Sequence, residues 1–219
     1  MQWTRSYTRF VAWSPVVALL ATFSAGIFFW GGFNWSMDLT NTEEFCISCH
    51  EMEQNVYQEY RNTVHYSNRT GVRATCPDCH VPREWTHKVM RKLQATNELY
   101  HWVRGSIDTR EKFQAKRQQL ATHVWEGMKE TDSRECRNCH ASNSMALKKQ
   151  LPMAKKIHEL AVDWRYTCIE CHQGIAHQLP EGFDKELQID KIHRRIEKEG
   201  VACHECHDDL YTPGANDEW

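Results

Sequence analysis

The first feature of the chain is a long uncharged segment near its N-terminus. Residues 11–37 contain no charged side chain, and these 27 residues exceed the roughly 20 that cross a bilayer core. The segment is longer than the apolar region of a signal peptide, about 7–15 residues, and continues past the small residues at 24–26. Tryptophans stand at both ends, as in an interfacial aromatic belt: Trp3, Trp13, Trp30 and Trp35. The pattern predicts a retained transmembrane helix rather than a cleaved signal peptide.

Beyond this segment, the pattern of apolar positions predicts helices. The chain has no sustained alternation of Val, Ile and Thr, which would indicate strands. A stripe with a spacing of three or four residues predicts a long helix that carries Trp85, Val89, Leu93, Thr96, Tyr100, Val103 and Ile107. Asp108, with Glu111 three residues later, predicts the cap of a second helix, whose apolar residues are Phe113, Leu120, Val124 and Met128. The expected fold class is mainly α, with one N-terminal transmembrane helix and a small domain of short helices and little sheet.

The cysteines identify the class of cofactor. All ten belong to Cys-x-x-Cys pairs: Cys46 and Cys49, Cys76 and Cys79, Cys136 and Cys139, Cys168 and Cys171, and Cys203 and Cys206. A histidine follows every pair: His50, His80, His140, His172 and His207. Cys-x-x-Cys-His is the attachment signature of c-type haem, in which two thioether bonds hold the porphyrin and the histidine is positioned to bind the iron. The sequence therefore predicts five covalently bound haems c.

Zinc, a disulfide framework and chance fit the cysteine pattern less well. A structural zinc site takes four ligands, so five pairs do not divide into closed four-cysteine sites, and zinc needs no histidine after each pair. A disulfide framework is typical of shorter chains with varied spacings. Because histidine makes up about 6% of the chain, five such histidines by chance have odds on the order of one in a million. We expect the haems to form most of the core, with the apolar helix stripes packed on them.

The spacing of the motifs predicts an internal duplication. The first cysteines are separated by 30, 60, 32 and 35 residues, which indicates two dihaem units, 46–80 and 136–172, joined by a long helical connector. The predicted organisation is a cytoplasmic stub and anchor at 1–37, a tetrahaem domain at 38–180 and an extension with the fifth haem at 181–219.

Eight further histidines are candidates for the second axial ligand of each iron. His158 and His193 stand ten residues before the first cysteine of a motif and His65 stands eleven before, a recurrence that favours ligands. His177 follows the fourth motif and is equally well placed to reach a neighbouring haem. His87, His101 and His123 are weaker candidates. His204, inside the fifth motif, is expected to face solvent or a haem propionate, because the backbone directs it away from the iron that His207 binds.

Charge indicates the orientation of the chain in the membrane. Its 27 basic and 29 acidic residues give a net charge of -2, so no basic surface argues for nucleic acid. Arg5 and Arg9 precede the anchor, whereas acidic residues follow it and the next basic residue is Arg61. The excess of positive charge predicts a cytoplasmic N-terminus and a haem domain on the outer side. Since bacteria attach c-type haems on that side, we expect a single-pass protein of the bacterial inner membrane with a periplasmic haem domain.

Longer stretches around the motifs resemble a known family. The anchor together with CISCHEM, HYSNRTGVRATCPDCHVP and CIECHQGIAHQLP resembles the NapC/NirT family of membrane-anchored quinol dehydrogenases, over residues 1 to about 180. The resemblance implies electron transfer from membrane quinol, either menaquinol or ubiquinol, to a periplasmic reductase or soluble cytochrome. The usual family member has four haems, so the role of the fifth motif does not follow from the resemblance.

The resemblance also implies two sets of site residues. In CxxCHxM, Met52 rather than His50 binds the first iron, although spacing alone selects His50. The quinol site lies beside the first haem and takes a lysine and an acidic residue from the segment after the second motif. Lys92 and Glu98 match these positions, and Arg91 fits the spacing almost as well as Lys92.

Three functions remain open at this level. The leading hypothesis is a quinol-oxidising electron relay. A terminal multihaem reductase, acting on a nitrogen oxyanion or on hydroxylamine, needs one open iron and often a lysine in place of the motif histidine, whereas all five motifs here end in histidine. A membrane scaffold or redox sensor would need an output domain, which the sequence lacks.

Overall fold

All regular structure in the described part of the chain is helical. The computed structural model describes residues 15–207, and no strand occurs within them, which confirms the predicted mainly α fold. The α-helices are α1 (Pro15–Leu39), α2 (Glu43–Ile47), α3 (Gln58–Tyr60), α4 (Cys76–His80), α5 (Trp85–Val103), α6 (Arg110–Glu130), α7 (Arg134–Arg137), α8 (Pro152–Trp164), α9 (Cys168–Cys171) and α10 (Lys185–Glu199). A π-helix covers Met52–Tyr57, and short 3-10 turns cover Ser142–Ser144, Leu147–Lys149 and Cys203–Glu205.

Helix α1 is long and apolar enough to cross a membrane. Its 25 residues correspond to about 37 Å, more than the roughly 30 Å of a hydrocarbon core. Its apolar side chains face outward, as lipid contact requires, and Trp30 and Trp35 are exposed near its C-terminal end. The first four residues of the predicted span, together with Trp3, Trp13, Arg5 and Arg9, lie outside the described residues.

Helix α5 is attached to the C-terminal end of α1. The Trp85 indole N–H donates to the Asn34 side-chain oxygen at 3.0 Å, and its ring packs on Trp30 with 5.3 Å between centroids. One turn later, Lys88 lies 3.5 Å from Asp38. These contacts hold the start of α5 at the level where the anchor ends. The haem-motif domain is thereby fixed to this end of the predicted span.

The ends of the connector helices differ from the sequence prediction. Helix α5 ends at Val103, so the stripe residue Ile107 lies beyond it. The cap of α6 is Thr109, not Asp108, because the Thr109 hydroxyl accepts the Lys112 backbone N–H at 3.3 Å. The Asp108 carboxylate instead pairs with the Lys112 ammonium at 2.6 Å. The helix therefore begins one residue later than predicted, because Thr109 rather than Asp108 caps a free backbone N–H of its first turn.

The hydrophobic core of the polypeptide is small. Among the described residues, the buried hydrophobic side chains are Met37, Tyr60, Phe113, Leu160, Trp164 and Ile169. A domain of this length needs more buried apolar surface than six such side chains supply. Covalently attached porphyrins add large apolar faces, which is the arrangement that the five motifs predict.

Candidate functional site

Short helices present the cysteines of the second and fourth motifs. In each, a threonine just before the first cysteine forms a capping box with an acidic residue three positions later. The Thr75 N–H donates to the Asp78 carboxylate at 2.9 Å, and the Thr167 N–H donates to the Glu170 carboxylate at 2.8 Å. A helical turn places residues three apart on one face. The two cysteines of each motif therefore project to the same side, as attachment to one porphyrin requires.

Four motif histidines each face a second histidine at a nearly constant distance. The ring centroids are 6.2 Å apart for His80 and His177, 6.2 Å for His140 and His65, 6.0 Å for His172 and His158, and 6.3 Å for His207 and His193. Two imidazoles on opposite sides of one metal stand about 6 Å apart, because each metal–nitrogen bond is about 2 Å and each ring adds its own radius. These four pairs therefore fit haem irons with two axial histidines.

Burial favours the neutral imidazole that iron binding requires. It lowers the pKa of His80 to about 4, and it also lowers the pKa values of His65, His172 and His177. The Nδ1 atoms of His65 and His177 are buried with no hydrogen-bond partner among the described residues. Buried polar atoms are almost always satisfied, so an unpartnered ring nitrogen at each of these positions is compatible with a site that binds a further group.

Two of the histidine pairs connect segments that are far apart in sequence. His65 precedes the second motif but faces the third-motif His140, and His177 follows the fourth motif but faces the second-motif His80. By contrast, His158 and His193 face the motifs that they directly precede. The two predicted dihaem units are thus linked by an exchange of histidines.

The remaining histidines have other surroundings. His87 is half exposed and lies 3.3 Å from Glu84. His101 lies 3.4 Å from the Ser106 hydroxyl. His123 and His204 form none of the four histidine pairs.

A substitution at His65 is expected to alter the third haem and not the second, in spite of its position in the chain. His65→Ala should convert one iron from low spin to high spin, because the imidazole that faces His140 is lost. Electron paramagnetic resonance checks this result, with His87→Ala as the control. An unchanged spectrum in His65→Ala would contradict the pairing. To assign the affected haem, the spectrum is compared with that of His140→Ala.

The first motif differs from the other four. The His50 ring lies 3.2 Å from the Asp108 carbonyl through Nε2 and 3.3 Å from the Glu51 carboxylate through Nδ1. A carbonyl oxygen only accepts, so this contact uses Nε2 as a donor, whereas the other four motif histidines each face a second histidine. Met52 begins the π-helix, a distortion that often marks functional sites. Met52 stays the ligand candidate that the family resemblance implies for this motif.

Lys92 and Glu98, the residues predicted for the quinol site, both lie on α5 but have different partners. The Lys92 ammonium donates to the carbonyl and hydroxyl of Thr40, at 2.5 and 3.1 Å, just beyond the C-terminal end of α1. This is where a helix dipole favours a cation. Glu98 pairs with Arg91 at 2.8 Å and is largely exposed. Burial lowers the pKa of Lys92, which favours the neutral amine more than in an ordinary lysine.

The motifs follow one another in space in the order of the chain. Cys46 lies against Cys76, Cys79 lies near Cys136, and Cys136 lies near Cys168. The backbone N–H of Ile169 in the fourth motif donates at 3.1 Å to the fully buried Ser133, just before α7. Helix α8 contacts the turn Cys203–Glu205 of the fifth motif. The sites thus form a series that starts beside the anchor.

An apolar N-terminal helix, Cys-x-x-Cys-His motifs and paired histidines define a membrane-anchored multihaem c-type cytochrome. The particular family follows from comparison with known proteins: residues 9–182 match the NapC/NirT cytochrome c family, N-terminal region, so the chain belongs to this family. Its haems are covalently bound haems c, and its activity is electron transfer.

Individual relatives agree with this assignment. The chain is 60% identical over 168 residues to the denitrification system component NirT of Stutzerimonas stutzeri, covering 77% of this chain and 84% of the relative. It is 57% identical over 163 residues to the cytochrome c-type protein NapC of Paracoccus pantotrophus, covering 74% and 69%. A putative tetraheme cytochrome of Allochromatium vinosum is 48% identical over 161 residues, covering 71% and 87%. No solved structure matches.

Proposed function

We propose that the chain is a pentahaem quinol dehydrogenase of the bacterial inner membrane that delivers electrons to a periplasmic reductase or soluble cytochrome. The observation that carries the proposal is the position of α5, which brings Arg91 and Lys92 to the membrane end of the haem domain, near Cys46, with Glu98 paired to Arg91. A quinol dissolved in the bilayer has to react at this level. The names NirT and NapC of the relatives, proteins of this same family, support the same class of activity.

Oxidation of one quinol to quinone releases two electrons and two protons. When bound, the haems supply one-electron Fe(III)/Fe(II) carriers, which take the two electrons in turn. The protons need acceptors at the site. Lys92 in its neutral amine form, which burial favours, accepts one proton, and the exposed carboxylate of Glu98 accepts the other and can release it to water.

Variants of Lys92 and Glu98 test the quinol site. Lys92→Gln and Glu98→Gln are each expected to slow quinol-driven reduction by about 100-fold, the lower end of what a positioned proton acceptor contributes. Reduction by dithionite should stay complete, because it does not use the site. Stopped-flow haem absorbance follows both reactions, quinol-driven reduction with a menaquinol analogue and reduction by dithionite, with Glu84→Gln, just before the first residue of α5, as the control.

Lys92→Arg separates proton transfer from the structural contact with Thr40. Arginine can still donate to the Thr40 oxygens, but its guanidinium does not give up a proton at working pH. If proton acceptance matters, Lys92→Arg is as slow as Lys92→Gln. Full quinol-driven rates in Lys92→Arg would assign Lys92 to holding α5 on α1 alone.

We assign the fifth motif to the outlet of the relay, with His193 as the second ligand of its iron. The extension packs on α8, which also carries the fourth-motif partner His158. Lys156 pairs with Glu205 at 2.5 Å, and the Trp164 indole donates to Glu199 at 2.6 Å. Arg195 stacks over Trp164 at 4.6 Å. Because one helix serves both sites, the fourth and fifth motifs are held side by side.

A terminal reductase is the competing assignment. It needs an open iron within a substrate pocket, whereas four of the five motif histidines face a second histidine. The assignments differ in one assay, the consumption of nitrite or hydroxylamine by the reduced purified protein. Turnover with either substrate would overturn the relay assignment.

A further inference from the structure

The loop that carries His177 depends on contacts outside itself for its position. No helix covers residues 173–180, yet His177 must meet His80 from a position 97 residues along the chain. Within the loop, Gly174 has a φ of +76°, and a Cβ there would lie 2.7 Å from Leu179 Cγ. That close approach shapes the turn but does not place the histidine relative to the second motif.

A buried ion pair between Arg117 and Glu59, here called the clamp, binds the backbone of Gln178, the residue next to His177. The Arg117 guanidinium on α6 and the Glu59 carboxylate on α3 form a two-pronged pair, with the Arg117 side chain 7% and the Glu59 side chain 11% exposed. The Glu59 carboxylate accepts the Gln178 backbone N–H at 2.9 Å. Arg117 donates to the Gln178 carbonyl at 2.8 Å. Both polar backbone groups of Gln178 are thus bound by the pair.

The chemistry of this pair is more specific than stability alone requires. Burying two charges seldom gives a net gain over apolar residues of the same volume, so a buried pair is weak evidence of a stabilising role. A guanidinium can bind a carboxylate with two parallel hydrogen bonds and still have a donor for a carbonyl, which an ammonium cannot match in geometry. The Arg117 Nε–H donates to the Gln114 side-chain oxygen at 2.9 Å, so this third donor of the guanidinium is also bound.

We propose that Glu59 and Arg117 are positioning residues that hold His177 on the iron of the second haem. The proposal rests on the pairing of His80 with His177 given above. Both residues bind the backbone of Gln178, one residue from the histidine. Glu59 also belongs to the helical segment 50–60, which begins beside Met52. The clamp therefore connects the segment that carries Met52, the ligand candidate of the first haem, with the loop that carries His177, the ligand candidate of the second. Electrons in the proposed relay pass first between these two haems.

Two substitutions that keep the charges test the clamp. Arg117→Lys removes the fork, and Glu59→Asp shortens the carboxylate arm by one methylene. In the full-length haem-loaded protein, each is expected to convert one low-spin haem partly to high spin, in the same place in the spectrum as His177→Ala. Added imidazole should restore the low-spin signal, because it occupies the position that His177 leaves. Hydrogen exchange at the Gln178 amide should become faster.

Two control variants show whether the effects are specific to the clamp. Arg110→Lys, an exposed arginine on the same helix, and Gln178→Ala, which keeps the backbone groups, should both leave the spectrum unchanged. Wild-type spectra and Gln178 exchange in Arg117→Lys and Glu59→Asp, together with an altered His177→Ala, would overturn the clamp alone. An unaltered His177→Ala would overturn the ligand pairing and the clamp with it. A low-spin loss that imidazole does not reverse would assign the pair to general stability and reject the positioning role.

Discussion

A chain that ends after Pro180 is expected to accept electrons from quinol and to lose their delivery to the soluble partner. Residues 9–182 match the family, so this shorter chain retains the four motifs within the matched region. It lacks His193, the fifth motif and the contacts of Glu199 and Glu205 with α8. We expect four haems by pyridine haemochrome, unchanged reduction by a menaquinol analogue, and delivery to the periplasmic fraction reduced by about 100-fold or more, a loss of roughly 2.7 kcal/mol in the rate-limiting step.

A full-length variant separates electron transfer through the fifth haem from docking by the extension. Cys203→Ser with Cys206→Ser removes both thioether bonds but keeps α10 and its contacts with Trp164. If the fifth haem is the outlet, this variant fails in delivery as the shorter chain does. Delivery at the full rate in the double variant would leave the fourth haem as the outlet and give the extension a docking role.

Met52→Ala is expected to change the signature of one haem only. A thioether ligand sets the electronics of that iron, whereas Cys46 and Cys49 keep the porphyrin attached when the ligand is lost. We expect one haem to shift in magnetic circular dichroism and in reduction potential, and the other haems to keep their signals. Quinol-driven reduction should slow, because the altered iron is the first acceptor.

His50→Ala is the matched comparison for Met52. The His50 ring is bound to the Asp108 carbonyl and the Glu51 carboxylate, so its removal should leave the first haem's axial signature intact. The opposite result, with the signature lost in His50→Ala and kept in Met52→Ala, would return the first motif to the ordinary histidine ligation that its spacing suggests.

Patterns within a few residues of each other predicted the local features of this protein. An uncharged run of sufficient length predicted α1, because spanning a bilayer depends on length and composition. The three-to-four residue stripe predicted α5, although its last member, Ile107, lies past the helix end. The cap of α6 was predicted one residue early because Asp108 and Thr109 are both good capping residues, and only the folded backbone selects one.

The sequence by itself determined the anchor, the helical class, the haem motifs and the set of histidines available to them, since these depend on residue type and local spacing. Only the tertiary structure decided which histidine meets which motif. His65 faces the third motif and His177 faces the second, although another motif lies nearer to each of them along the chain. It also paired Glu98 with Arg91 and placed Lys92 at the end of α1. Spacing counts residues along the chain, whereas an axial bond or an ion pair depends on distance in space, which the packing of helices far apart in sequence sets.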